Sequence, residues 1–263
     1  MATKKTEVAV ATQAAMTAFS QDVPDYIKQG GARGSEEVKS SDMVLPRLEI
    51  VQASSPIKDV VEDIKEGWLF NSVTQESLGD LAYFVPVYYR MEWLVWKDQD
   101  EGGGFMGSFS TEGEARERME TAIQDDPKLA GKTEKGRDIV AVIDTPVHYG
   151  LLVDPADPSK MEQIVISMPK TKAKVSRKWN AMIQIAGGDR FSRVYKISTF
   201  KDENNKGQKF FNFVIQPAGF APKAIYEEAE RVYEVIKTQN VRAAHESAID
   251  AEGGDAPEGR GEI

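Results

Sequence analysis

"LAYFVPVYYRMEWLVW", residues 81 to 96, is the longest apolar and aromatic stretch of the chain. Its valines, tyrosines and tryptophans suit a pleated, half-buried surface, so it reads as strand. Pro86 has no N–H to give a ladder and marks a bulge, an edge or a break between two strands. Taken as one element, the stretch is a curved strand fit for a barrel, and the fold class follows as mainly β with added helices.

Upstream, "MVLPRLEIVQ" (43–52) starts extended, because Pro46 biases Leu45 away from helix while Leu48 and Ile50 are period-two neighbours. "GWLFNSVT" (67–74) is a second strand. Downstream, Thr111 and Glu114 in "TEGEARERMETAIQ" stand at capping-box spacing and open a helix over about 112–124. "RDIVAVIDTPVHYGLLVD" and "MEQIVISM" are strand material on either side of the turn "DPADPSK". From Lys172 the period changes. Val175, Trp179, Met182, Ile183 and Ala186 recur at three and four, which gives a helix with one apolar face, closed by Gly187 and Gly188. "RFSRVYKISTF" and "KFFNFVIQP" pair around the polar loop "KDENNKG". A last helix, "APKAIYEEAERVYEVIKTQ", buries Ile225, Ala229, Val232, Tyr233 and Ile236.

The 263 residues, 41% hydrophobic, suffice for a real core. Composition divides them into a flexible segment 1–42, one domain over 43–240 ending in the last helix, and a disordered acidic tail 241–263. The first twenty residues have neither a membrane span's length nor a signal peptide's cleavage site, so the expected location is cytoplasmic. The absence of cysteine excludes disulfides, thiolate metal sites and a cysteine nucleophile.

Charge is segregated. Eleven lysines and arginines lie between Met168 and Phe210 against Asp189, Asp202 and Glu203, inside a chain of net charge -9. The chemistries open to the rest are thin. Gly102, Gly104 and Gly107 spell a G-x-G-x-x-G, but "SFST" intervenes before the helix, and Asp98, Asp100 and Glu101 would repel a phosphate. His148 and His245 are too far apart for a two-histidine metal site. The pairs Asp125–Asp126 and Asp154–Asp157 sit in Asp-Pro turn chemistry. No nucleophile elbow or Walker A sequence occurs, so we expect no enzyme, metal or cofactor.

Cations and rings coincide, however, as single-stranded nucleic acid requires: charges to track phosphates and flat faces for unstacked bases. The phosphate candidates are Lys170, Lys172, Lys174, Arg177, Lys178, Arg190, Arg193 and Lys196, and the stacking candidates are Tyr195, Trp93 and Tyr88. On strand 191–200, Arg193 and Tyr195 share one face, and Lys196 and Ser198 the other. These groups are expected to converge on one open trough.

The order "DMVLPRLEIVQASSP", "GWLFNSVT", "LAYFVPVYYRMEWLVWK", "KTKAKVSRKWNAMI" and "FSRVYKISTF…KFFNFVIQPAGFAPKAIYEEAERVY", with an acidic end, resembles the single-stranded DNA-binding proteins of tailed bacteriophages over about residues 42–240. The resemblance implies a single OB-fold core, a barrel of about five strands with added helices, and largely sequence-independent coating of single strands in replication or recombination. It also implies an acidic tail that contacts replication, recombination or transcription proteins and competes for the basic groove, in the host cytoplasm. Ile263 stands where such tails often carry an aromatic. The rival readings are a virion structural or assembly protein, an annealing protein or nuclease, and a single-strand-binding transcription cofactor that recruits an RNA polymerase.

Overall fold

The computed structural model describes residues 45–203 and 209–239, with Gly34, Glu36, Glu37 and Gly207. The chain divides between Met43 and Val44, and the elements described here belong to the second unit. The expectations for a flexible segment 1–42 and an acidic tail 241–263 fall almost wholly outside the described residues. In chain order the elements are β1 (Leu48–Ile50), α1 (Ile57–Val60), β2 (Leu69–Asn71), β3 (Ser77–Gly79), β4 (Leu81–Lys97), β5 (Gly104–Phe109), α2 (Glu112–Asp125), β6 (Val140–Val153), β7 (Met161–Ser167), α3 (Ala173–Ala186), β8 (Arg193–Glu203), β9 (Lys209–Phe220) and α4 (Lys223–Gln239). A small antiparallel sheet runs β1-β2-β3, and a larger one runs β7-β6-β4-β8-β9, with β5 also on β4.

The long aromatic stretch is one strand, β4. It pairs with β6 from Tyr83↔Val153 to Lys97↔Val140, while on its other edge β8 takes Leu81–Phe84 and β5 takes Trp93–Lys97. Pro86 lies where β8 has already left, and the register with β6 shifts between Pro86 and Tyr88, so the proline marks a bulge. Opposite it, Gly150 has no alternative: a Cβ there would stand 2.2 Å from the Val85 carbonyl oxygen and 2.4 Å from the Phe84 ring.

Period-two alternation gives the larger sheet two buried faces. One carries Ala82, Phe84, Ile164, Ile166, Tyr195, Ile197, Phe213 and Ile215 against Leu48, Ile50, Leu69 and, from α3, Trp179 and Ile183. The other carries Val85, Val87, Val147, Tyr149, Leu151, Val153 and Val165 against Ile225, Ala229, Val232 and Ile236 of α4. The far end of β4 packs separately: Val95 and Val140 meet Ala115 of α2, and Leu94, Trp96 and Ile143 cluster on the reverse side.

The expected closed five-stranded barrel is not formed. β7 and β9 end the larger sheet without pairing to each other. The small sheet stands between them. Arg47 bridges in parallel to Val165 of β7, whose N–H donates to the Pro46 carbonyl at 2.9 Å. On the other side, the Gln52 carboxamide donates to the Phe211 carbonyl of β9 and accepts from the Phe211 N–H, both at 2.8 Å. Thr199 of β8 donates to the Gly67 carbonyl at 2.5 Å. A bridge and side chains span the gap that strand pairing would close, because alternation dictates which face a residue takes but not which edges meet.

The helices follow their local signals. Thr111 Oγ1 accepts from the Glu114 N–H and Glu114 returns to the Thr111 N–H, which completes the capping box of α2. Gly187, at φ 68°, ends α3 in the left-handed region that favours glycine. Ala186, expected on the apolar face of α3, is exposed. Gly102 belongs to the turn between β4 and β5, and Gly104 and Gly107 to β5 itself, with Ser110 and Thr111 before α2 begins. Asp126, Asp154 and Asp157 each accept from a backbone N–H two residues on, as the turn reading requires.

Candidate nucleic-acid interface

α3 lies over the sheet with Trp179 as its anchor. The indole is 0% exposed and meets the rings of Phe84 at 5.7 Å, Tyr195 at 5.6 Å and His148 at 4.3 Å, the last nearly parallel at 19°. That choice of face fixes the rest by helical spacing, and Lys174, Arg177 and Lys178 stand in solvent on the side away from the sheet. No acidic residue interrupts the chain from Lys170 to Gly188. Elsewhere cations rest on carboxylates: Lys58 on Glu66, Arg116 on Glu112, Lys132 on Asp138, Arg137 on Asp98 and Asp100, and Arg231 on Glu228. Among the described residues, no ion pair involves Lys174, Arg177, Lys178, Arg190, Arg193 or Lys196.

Lys172 and Tyr195 need correction. Lys172 is 8% exposed, with its Nζ 5.5 Å from the Phe213 ring, so it caps the core beneath α3. Tyr195 is 1% exposed, packed edge-on against Trp179, and offers no face to a base. Tyr88 and Trp93 are half-buried in different places: Tyr88 against Tyr233 of α4, at 6.0 Å, and Trp93 in the α2 cluster. Lys196, between buried Tyr195 and Ile197, is exposed on the sheet face opposite to theirs. Lys170 is half-buried in the 3-10 turn that leads into α3. Of the cations named from the sequence, the exposed ones are Lys174, Arg177 and Lys178 on the solvent side of α3, and Lys196 on β8. Phe220, 72% exposed, and Phe200, 42% exposed, are the open rings nearest these cations in the chain.

Arg190 is the residue whose role sequence reasoning did not foresee. Its Nη2 donates to His148 Nδ1 at 2.7 Å and to Asn180 Oδ1 at 2.9 Å, and its guanidinium lies over the Tyr89 ring at 5.4 Å. Burial pulls its pKa down to about 10, with the Tyr195 and Tyr89 hydroxyls pulling the other way. Arginine only donates, so His148 Nδ1 accepts and the ring proton sits on Nε2, which donates to Ser176 Oγ at 2.8 Å. Ser176 and His148 therefore have the wrong polarity for a nucleophile and its base: the imidazole gives a proton to the hydroxyl instead of taking one.

His148 is fully buried, and desolvation first, then Arg190, holds its pKa well below the usual 6.5. The neutral ring is the folded form. Below pH 6.5 the unfolded chain gains a proton here that the folded chain refuses, so stability is full above that pH and falls beneath it. We expect denaturant titrations to give a flat unfolding free energy from pH 7 to 8. From pH 6.5 downward it should decline by up to about 1.4 kcal/mol per pH unit. His148→Gln should flatten that decline. The carboxylates held low, Glu66, Asp100 and Asp157, lose their charge only at more acidic pH.

Among the described residues, no group of histidine and carboxylate side chains is placed to hold a metal ion, and no helix is long and apolar enough to cross a membrane. Fold and site together define a mostly β protein with a cation-bearing helix laid over its sheet. Residues 11–242 match the family model described as Pam3 phage gp34-like protein, and the chain belongs to that family of phage proteins. No curated protein and no solved structure matches it.

Proposed function

We propose that this phage protein is a non-enzymatic single-stranded DNA-binding protein that coats displaced strands in replication or recombination with little sequence preference. The observation that carries the reading is the solvent face of α3. Lys174, Arg177 and Lys178 project from it without a carboxylate partner among the described residues, in a net acidic chain that neutralises many of its other exposed cations internally. Unpaired cations are what a polyanion's phosphates replace counter-ions on. The surplus of acid elsewhere discourages wholesale attachment to duplex DNA. In this reading the curled sheet, with β1 and Gln52 spanning its open side, serves as an opened relative of the OB barrel. The His148–Ser176 polarity supports the non-enzymatic part.

A second reading, a virion assembly protein, draws on Ile185, 86% exposed at the end of α3. Fluorescence-anisotropy titrations with labelled single-stranded and duplex oligonucleotides, at 50 and 200 mM salt, separate the two. The strand-binding reading expects single-strand preference and a steep loss of affinity at the higher salt. The assembly reading expects no salt-dependent affinity for either.

A further inference from the structure

At the open end of the β8–β9 ladder, Arg193 pairs in register with Phe220, and its guanidinium carbon lies 4.3 Å from the Phe220 ring centroid. One ring face is taken by the cation. The residue is nevertheless 72% exposed, so the other face is open to solvent. The Nε of Arg193 and that of Arg190 are both buried without a hydrogen-bond partner. The acid nearest to Arg190 in the chain, Asp189, is engaged elsewhere: it accepts from the Tyr226 hydroxyl at 2.5 Å. Arg190 opens the 3-10 turn Arg190–Ser192 that leads straight into Arg193, the first residue of β8, so the two cations stand three positions apart at this ladder end.

Two nearby cations with no anionic partner among the described residues, beside a ring with one open face, match a ligand that carries a flat face and a negative charge a few ångströms apart. An apolar protein anchor would cover the ring and leave the guanidinia unmatched. An unpaired nucleotide supplies both. We propose that Phe220, Arg193 and Arg190 form a seat for one nucleotide of a bound single strand, the base stacked on the open face of Phe220 and its phosphate on the two guanidinia. This rests on the single-strand-binding reading and adds a defined contact to it.

The test uses the full chain and a thymidine oligonucleotide carrying one 5-iodouracil, irradiated and mapped by mass spectrometry, beside anisotropy titrations of Phe220→Leu and Arg193→Gln. A cross-link is expected in the peptide containing Phe220. Phe220→Leu should lower affinity about tenfold with the salt dependence unchanged. Arg193→Gln should lower it with a salt slope about 0.7 shallower. Cross-links confined to other peptides, or wild-type affinity in Phe220→Leu, overturn the seat and leave the strand-binding reading standing. Absence of single-strand binding by the wild-type chain overturns both. Both variants change side chains at the end of the β8–β9 ladder, and circular dichroism is the check that they fold.

Discussion

Lys174→Glu, Arg177→Glu and Lys178→Glu together are expected to lower affinity for single-stranded DNA on the order of a hundredfold at 0.15 M salt. The effect comes from three phosphates losing their cations and meeting like charge instead, at roughly 1 kcal/mol per site for screened surface charges. All three side chains are exposed and none has an acidic partner among the described residues, so the fold should not register the change. Thermal unfolding within about a degree of wild type is the control. Lys172 is left out because it is 8% exposed against Phe213, and a carboxylate there would be buried without a partner. A triple variant that binds as tightly as wild type would remove α3 from the interface.

Trp179→Ala is expected to cost about 3–5 kcal/mol of stability, enough to unfold a marginal domain. The indole is 0% exposed and is the meeting point of Phe84, His148 and Tyr195, so its removal opens a cavity between helix and sheet. α3 is held by that anchor, and the cations on its outer side lose their position when it goes. Trp179→Phe is the discriminating companion. It keeps most of the ring contacts and discards an indole N–H that has no partner, so it should cost markedly less. Equal loss in both variants, measured by urea unfolding, would mean that the cavity is not the cause.

Much of the local structure was legible because its signals are local. Thr111 and Glu114 start α2, Gly187 ends α3, and Pro86 marks a bulge in β4; each rests on residues a few positions apart. Trp179 and Ile183 fall inward by spacing alone. What the sequence could not supply is the long-range pairing. β4 and β6 run together along almost their whole lengths, and the span between β7 and β9 uses Gln52 against Phe211, 159 residues away. Nothing in either residue type announces that contact, so a closed barrel was the natural but mistaken extrapolation.

The site divided in the same manner. Lys174, Arg177 and Lys178 were readable as the outer side of an amphipathic helix. Tyr195 was not, because alternation offers Tyr195 and Lys196 on opposite faces without saying which is buried; Phe84, Trp179 and Ile197 make that choice. Arg190 looks like one more free cation in "GGDRFS", yet it is drawn under His148, 42 positions upstream. Phe220 carried a faint signal, an aromatic between Gly219 and Pro222 at the end of β9, where the chain leaves the sheet.

The central claim is that α3 neutralises DNA phosphates. It is tested most directly by the slope of log affinity against log salt for a single-stranded oligonucleotide, measured on wild type and on the Lys174, Arg177, Lys178 triple glutamate variant. The account predicts a steep negative slope for wild type and one shallower by about 2 for the variant. Equal slopes, or a wild-type affinity indifferent to salt, would contradict it.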